Sequence, residues 1–177
     1  NGGGVYGGNI WGCRVVDNSA GIGAGLNSVE AHGCLIIGNA AWKGGGSAYG
    51  TLVGSTIVSN SAAQGGGGTY RDTVDSCIVL LNSAPADSNW LEGSFAYSCA
   101  APAPTGSGNI SADPAFLGSG DWHLTPGSPC MDTGNTNFVA IYGIDPDLDW
   151  IPRPLDGDAD GAVIVDNQAI EGPSLDR

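Results

Sequence analysis

The sequence predicts an all-β fold, a parallel β-solenoid in which each repeat of 21 or 22 residues forms one coil. Three columns recur with this spacing, one of Asn, one of Gly and one of Cys or Ser. Their members are Asn18, Asn39, Asn60 and Asn82; Gly4, Gly25, Gly46 and Gly68; and Cys13, Cys34, Ser55, Cys77 and Cys99. The short apolar runs between Gly and Asn residues lack a helical period, which favours strands. A leucine-rich repeat is disfavoured because Leu is sparse.

The Asn and Gly columns are predicted to lie at corners of the coil. In a solenoid, like residues stack about 4.8 Å apart and form ladders. Asn suits a corner because it tolerates left-handed backbone angles and its amide can bond to the same amide one coil away. The Gly column is predicted at a corner with positive φ and no room for a Cβ atom.

Two aliphatic columns precede each Asn. The column three positions before is predicted to share the core with the cysteine column, because both have the same strand parity. The column two positions before should then point outward, although it is entirely apolar. Either a corner breaks the alternation and buries both columns, or the stripe is covered by the C-terminal segment or a neighbouring molecule. We call this second column the outer stripe; it comprises Val16, Ile37, Val58 and Leu80.

Charge divides the chain into two regions. Residues 1–105, predicted to form the coils, carry 6 acidic and 3 basic residues, whereas residues 106–177 carry 12 acidic residues and 2 basic ones. We interpret the second region as an acidic C-terminal capping and anchor-type region. The net charge of −13 repels nucleic acid phosphates, and no apolar run is long enough to predict a membrane span. The 31 glycines follow no strict Gly-X-Y period, which excludes collagen.

The five cysteines form no Cys-x-x-Cys pair, so a zinc ribbon is not predicted. Parallel side chains on stacked coils would hold Cβ atoms about 4.8 Å apart, too far for a disulfide. Cys13, Cys34 and Cys77 are therefore predicted to be small buried thiols. Cys99 with Cys130 is the favoured disulfide, and the alternative is five thiols.

Three C-terminal stretches carry a family resemblance. They are "NISADPAF" with "DWHLTPGSPCMDTGN", then "DPDLDWIPRPLDGDADG", then "AVIVDNQAIEG". The chain resembles secreted bacterial β-helix proteins that end in a choice-of-anchor Q region, and its coils are similar to repeats of polymorphic outer-membrane proteins. The resemblance implies a pectin-lyase-like, right-handed parallel β-helix in an extracellular or cell-surface protein. Trp150 and Ile151 depart from the family's Gly-Asn turn, and "VDNQAIE" departs from its closing "VDIGAYE".

A solenoid must cover its ends, because a terminal coil exposes core residues and strand edges. Apolar side chains that could form an irregular C-terminal cap are Phe116, Trp122, Leu124, Phe138, Tyr142 and Trp150. The chain begins inside a coil, so we expect that N-terminal coils were lost or that another molecule covers that face. Head-to-tail stacking would then build a homopolymer, a filament.

Calcium is the predicted cofactor. Asp156, Asp158 and Asp160 form a D-x-D-x-D-G loop, to which Asp166 could add a ligand. An EF-hand is excluded because Asn167 occupies its glutamate position. A looser cluster comprises Asp145, Asp147 and Asp149. The alternative is a solvated acidic turn.

No catalytic residue is predicted. Arg14, Lys43 and Arg71 occupy different columns and are expected not to converge; Asp72 and Asp75 have no matching partners in neighbouring coils. We expect His32 at the coil surface and His123 to pack locally.

The predicted function is a non-enzymatic structural or adhesive surface protein. Alternatives are a carbohydrate-active β-helix, a lyase or glycosidase, and binding of a surface glycan. For Trp11, Trp42 and Trp90, local corner packing is favoured over sugar stacking because they form no single ladder.

Overall fold

The computed structural model describes residues 3–131 and 133–135, and these residues form an all-β solenoid. In this part of the chain no helix is long and apolar enough to cross a membrane. The strands, in chain order, are β1 (Val5–Tyr6), β2 (Asn9–Trp11), β3 (Arg14–Val16), β4 (Ser19–Ile22), β5 (Leu26–Asn27), β6 (Glu30–His32), β7 (Leu35–Ile37), β8 (Ala40–Lys43), β9 (Ser47–Ala48), β10 (Thr51–Val53), β11 (Thr56–Val58), β12 (Ser61–Gly65), β13 (Thr69–Asp75), β14 (Ile78–Leu80), β15 (Trp90–Ala96), β16 (Cys99–Ala100), β17 (Phe116–Gly118) and β18 (Asp121–Leu124).

Three parallel sheets run along the solenoid. Sheet A holds two strands from each of the first three coils, which merge into the long strands β13 and β15 in the last two. Sheet B has the order β16-β14-β11-β7-β3, one strand from each of five turns, and sheet C has the order β12-β8-β4. Pairs such as Val15 with Ile36 and Ile57 with Val79 keep the 21- or 22-residue register. The predicted parallel β-solenoid is confirmed.

The corner glycines serve two separate purposes that the sequence prediction had merged. Gly44 has a φ of +61°, the left-handed conformation that favours glycine. Gly46, two residues later, has no positive φ. A Cβ atom there would lie 2.6 Å from the carbonyl oxygen of Gly68 and 3.1 Å from the amide nitrogen of Asn60. The repeated Gly column is therefore needed for close stacking of the coils. The glycine two positions before it makes the turn, as Gly23, Gly44 and Gly66 do.

The Asn column forms a buried ladder, as predicted. The Oδ1 atom of Asn60 accepts the backbone N–H of Asn39 at 3.0 Å and its side-chain amide at 2.9 Å. The Asn60 amide in turn donates to Asn82 and to the carbonyl oxygens of Ile36 and Val58. The left-handed backbone expected of Asn belongs instead to the preceding residues Asp17, Gly38, Ser59 and Leu81.

The ladder ends in a way that the 21-residue period does not reveal. Asn89 follows Asn82 by only seven residues, yet its Oδ1 accepts the backbone N–H of Asn82 at 3.0 Å. Its own backbone carbonyl accepts the N–H of Gly68, so Asn89 stacks on the Gly column. Its amide donates to the carbonyl of Ala101 at 2.8 Å. Asn89 is therefore the last residue of the Asn ladder, although its backbone lies in the Gly column.

The solenoid interior contains the predicted aliphatic and cysteine columns, with Ile36, Ile57, Val79, Cys34 and Cys77 fully buried. The prediction that Cys99 continues the cysteine column is wrong. Cys99 pairs with Ile78 on the outward side of sheet B, and Ser98 accepts the backbone N–H of Cys77 at 3.1 Å. The last step of this column is therefore 21 residues.

The outer stripe is covered by the chain's own C-terminal residues, which we call the lateral segment (residues 113–131). Phe116, Trp122 and Ile37 pack on Leu35 and Val58. Leu80, Ile78 and Cys99 pack in a second cluster with Leu124, Cys130 and Met131. Val16, on the first coil, remains 42% exposed. Of the two alternatives for the outer stripe, coverage by the C-terminal segment is the one that the structure adopts.

A short connection closes the last coil before the lateral segment begins. Asn109 accepts the backbone N–H of Ser98 at 3.0 Å and donates to the carbonyl of Phe95 at 2.9 Å. Ile110 pairs with Cys99 as a parallel bridge. Residues 109–131 thus cover both the end of the coils and one side of them.

Candidate functional site

A groove with a volume of about 250 Å³ lies on the described surface. It follows the bend between the two sheet A strands of successive coils. Ser28 and Tyr49, at this bend, have φ values of 56° and 59°. The lining comes from three coils and consists of Gly8, Asn9, Ser28, Val29, Glu30, Tyr49, Gly50 and Thr51.

The groove combines one aromatic ring with several hydrogen-bonding groups. Tyr49 is 43% exposed and packs edge-on against Tyr70, with 5.3 Å between ring centroids. Partial desolvation and the hydrogen bond with Tyr70 raise the pKa of Tyr49, so its phenol stays a hydrogen-bonding group at neutral pH. Glu30 lies 3.0 Å from the Nε2 atom of His32. Such a groove suits a polar, uncharged ligand rich in hydroxyl groups.

Two basic residues converge on Tyr70, contrary to the sequence expectation. Lys43 Nζ lies 4.9 Å from the Tyr70 ring centroid and the Arg71 guanidinium carbon lies 5.1 Å from it. Arg71 also forms an ion pair with Glu92, which raises the pKa of the guanidinium. The different columns of Lys43 and Arg71 misled the prediction because both side chains are long enough to reach one ring.

His32 is buried, so its predicted place at the coil surface is wrong. It is 3% exposed, stacks on Trp11 with 5.5 Å between ring centroids, and contacts Glu30. His123 packs locally, as predicted, because its Nδ1 atom contacts the carboxylate of Asp121. That contact lowers the pKa of Asp121.

Local packing explains two of the three tryptophans considered for sugar stacking. Trp11 stacks on His32, and Trp90 packs on Phe95 and donates to the carbonyl of Pro102 at 2.9 Å. Trp42 is 57% exposed. The structure therefore does not gather these rings into one sugar-binding ladder.

Asp72 is a fully buried carboxylate inside the solenoid. Its Oδ1 atom accepts the N–H of Gly50 at 2.6 Å and the hydroxyl of Ser47 at 2.9 Å, and Oδ2 accepts the N–H of Tyr70 at 3.0 Å. Burial raises the pKa of Asp72 to about 7, and the three donors oppose that shift. Asp75, which the sequence placed beside it, instead accepts bonds from Ser76 and Asn135.

The C-terminal motifs supply the residues that attach the lateral segment. Asp113 accepts the N–H of Ala115, and Ser128 donates to the carbonyl of Pro114 at 2.6 Å. Phe116 and Trp122 meet edge to face, with centroids 5.2 Å apart, against the outer stripe. The quoted stretches "DPAF" and "DWHLTPGSPC" thus have a packing role in this chain.

Two predicted sites have different outcomes. Cys99 and Cys130 are neighbours, but all five cysteines, including these two, are thiols, so the favoured disulfide is not formed. The calcium residues Asp156, Asp158, Asp160 and Asp166, and the cluster of Asp145, Asp147 and Asp149, lie outside the described residues. Within residues 3–131 and 133–135, no three His, Cys, Asp or Glu side chains are grouped to hold a metal ion.

Comparisons with known proteins found no matching family model, no matching curated protein and no matching solved structure.

Proposed function

We propose that the chain is a non-enzymatic, extracellular structural or adhesive protein of a bacterial surface. The observation that carries this proposal is the Asn ladder, in which buried side chains bond coil to coil over the length of the solenoid. Such bonding makes a stiff element, because each coil is held in register by polar and apolar contacts together. The right-handed, pectin-lyase-like and choice-of-anchor interpretations remain predictions from the sequence resemblance.

Self-assembly through a coil end is part of this proposal. Strands β1 to β4 each pair with one neighbouring strand in the described structure, and Tyr6 and Trp11 beside them are 70% and 51% exposed. Unpaired strand edges are surfaces on which another chain can add. Because Ile110 already pairs with the last coil, a head-to-tail filament would require that loop to move, whereas pairing of two β1–β4 edges would not.

The test is the assembly state over a wide concentration range, measured by light scattering after size exclusion and by negative-stain microscopy. Filaments or dimers that Trp11→Glu disrupts would support assembly through this edge. Leu81→Glu, a change at a 61% exposed apolar residue on the fourth coil, is the control. A monomer at every concentration would contradict the assembly proposal.

The groove favours a second candidate function, binding of a surface glycan. Tyr49 provides a ring face for a sugar, and Asn9, Glu30 and Thr51 provide hydrogen-bonding groups beside it. Among the residues that line the groove, Glu30 is the one carboxylate, whereas most glycosidases use two. We therefore favour binding over hydrolysis.

Glycan binding is tested with an array of bacterial and host oligosaccharides, followed by calorimetry on any hit. Tyr49→Ala should weaken binding at least about tenfold, and Tyr97→Ala, outside the groove, should not. Equal loss in both variants, or no hit on the array, would remove this candidate.

Calcium binding by Asp156, Asp158, Asp160 and Asp166 is proposed from the sequence alone. Calcium would offset repulsion among these carboxylates, so EDTA should lower the melting temperature and added calcium should restore it. An unchanged melting temperature in both conditions would refute it.

A further inference from the structure

The lateral segment meets the solenoid at a pair of cysteines. Cys99 lies on β16 and faces outward from sheet B, and Cys130 lies near the end of the lateral segment, 31 positions later. Both side chains are completely buried, and they share one apolar cluster with Ile78, Leu80 and Leu124.

Cys99 and Cys130 are neighbours in this cluster. The Cys99 thiol also donates to the carbonyl of Ala112 at 3.4 Å. The contact with Cys130 lowers the pKa of Cys99, which increases the thiolate fraction. The Cys99 thiolate is therefore available as the attacking nucleophile.

The other three cysteines are held differently. Cys34 donates to the carbonyl of His32 at 3.3 Å, and Cys77 donates to the carbonyl of Asp75 at 3.1 Å. The sulfurs of Cys34 and Cys77 also accept a backbone N–H from the coil before them, as Cys34 does from Cys13. These side chains run parallel along a column, an arrangement that does not favour disulfide geometry.

We propose that Cys99 and Cys130 form a reversible disulfide that locks the lateral segment onto the outer face of the solenoid. This inference goes beyond the proposed function, because it depends on the contact between the two sulfurs and not on what the surface binds. The bond would join residues whose packing is otherwise apolar, across the junction that covers the outer stripe.

The reaction is a thiol–disulfide exchange with a small disulfide such as oxidised glutathione as the oxidant. The Cys99 thiolate attacks one glutathione sulfur, breaks its S–S bond and releases the other half as a thiolate that takes up a proton. The Cys130 sulfur, after losing its proton, then attacks the Cys99 sulfur of the mixed disulfide and releases the second glutathione thiol. The two cysteines are oxidised, and one oxidised glutathione becomes two reduced molecules.

Burial of both sulfurs has a kinetic consequence. A disulfide reagent can reach Cys99 only when the lateral segment opens, so oxidation of the folded protein should be slower than oxidation in urea. Once formed, the disulfide should resist reduction for the same reason.

The experiment uses the full chain, reduced and then equilibrated in a glutathione redox buffer. Remaining thiols are alkylated under denaturing conditions and counted by intact mass. We expect two fewer labels after oxidation, and chymotryptic mapping, which cuts between the two residues at Phe116 or Trp122, should identify Cys99 linked to Cys130. Five labels throughout, or a different linked pair, would overturn the proposal without any variant being needed.

Variants sharpen the assignment. Cys99→Ser and Cys130→Ser should each abolish the loss of labels, whereas Cys34→Ser, which copies the serine at position 55 of the same column, should keep it. Oxidation should raise the melting temperature of the wild type by about 5–15 °C, as expected for closing a loop of this length in a chain of this size. An oxidised protein with an unchanged melting temperature would show that the bond does not lock the segment.

Discussion

The Asn ladder and Asp72 are both polar groups buried inside the solenoid, but they are satisfied in different ways. Each interior Asn bonds to the same residue one coil away, so the partners repeat with the sequence. Asp72 occurs once, in a column whose other members are Gly8, Val29, Gly50 and Gly93. Its donors are Ser47, Gly50 and Tyr70, none of which repeats as an Asp partner elsewhere.

Space for Asp72 comes from the two glycines that flank it along the column. A Cβ atom on Gly50 would lie 3.2 Å from the Asp72 carboxylate, and one on Gly93 would lie 2.4 Å from the Asp72 carbonyl oxygen. The repeated Asn is neutral, and its amide can bond to the same amide on the next coil. Asp72, which does not repeat, is ionisable and depends on space and donors that only its own position provides.

Loss of one interior Asn should have the largest effect. Asn60→Ala removes the donor to Ile36, Val58 and Asn82. It also leaves the buried backbone N–H of Asn39 without its acceptor, so we expect a cost of about 3–5 kcal/mol in unfolding free energy. Asn18→Ala, at the partly exposed end of the ladder, should cost about 1 kcal/mol. Urea unfolding measures both, and equal losses would show that the ladder is not the source of rigidity.

Asp72 should make stability fall as pH rises. Its folded pKa of about 7 lies above the usual value of 3.8, so the folded state holds the proton more tightly. Its stabilising contribution is therefore complete below about pH 4 and is lost as pH rises through about 7. The loss is on the order of 4 kcal/mol, from about 1.4 kcal/mol per pKa unit.

The measurement is the unfolding free energy as a function of pH for the wild type, Asp72→Asn and the control Asp87→Asn. Asp87 is exposed, so Asp87→Asn is the matched control for removing one carboxylate outside the solenoid interior. Asp72→Asn should flatten it, although the new amide faces the Tyr70 N–H donor and lowers stability at acidic pH. Parallel curves for all three proteins would refute the role of Asp72.

The repeating positions were predictable from the sequence because Asn60 and Ile57 each stack on similar residues 21 or 22 positions away. Asn89 escaped prediction because it joins the ladder from the Gly column, out of phase with the period. The convergence of Lys43 and Arg71 on Tyr70 was not predicted, because column position says nothing about how far a long side chain reaches. The groove was missed because its shape arises from left-handed bends at Ser28 and Tyr49, which are not glycines.

The lateral segment, like Asp72, does not repeat along the solenoid. A substitution in it tests whether covering the outer stripe stabilises the coils. Trp122→Ala removes a ring that packs on Leu35 and Val58, so we expect a loss of about 2 kcal/mol and faster proteolysis of residues 113–131. Leu117→Ala, in the same hairpin but 41% exposed, should change neither. Unchanged proteolysis in Trp122→Ala would mean that the other contacts hold the segment.

The smallest effect is expected in the cysteine column, where the repeated geometry already accepts two residue types. Cys77 accepts the backbone N–H of Ser55 at 3.3 Å and donates to the carbonyl of Asp75, and Ser55 makes the same pair of bonds to Cys34 and Val53. Cys77→Ser should therefore keep both hydrogen bonds and cost less than about 1 kcal/mol, mainly from the smaller volume of oxygen. Cys77→Ala, which loses both bonds, is the matched comparison and should cost about 2 kcal/mol more. If serine proved as harmful as alanine in urea unfolding, the sulfur would matter for its packing, and the column would belong with the aliphatic core rather than with the hydrogen-bonded ladders.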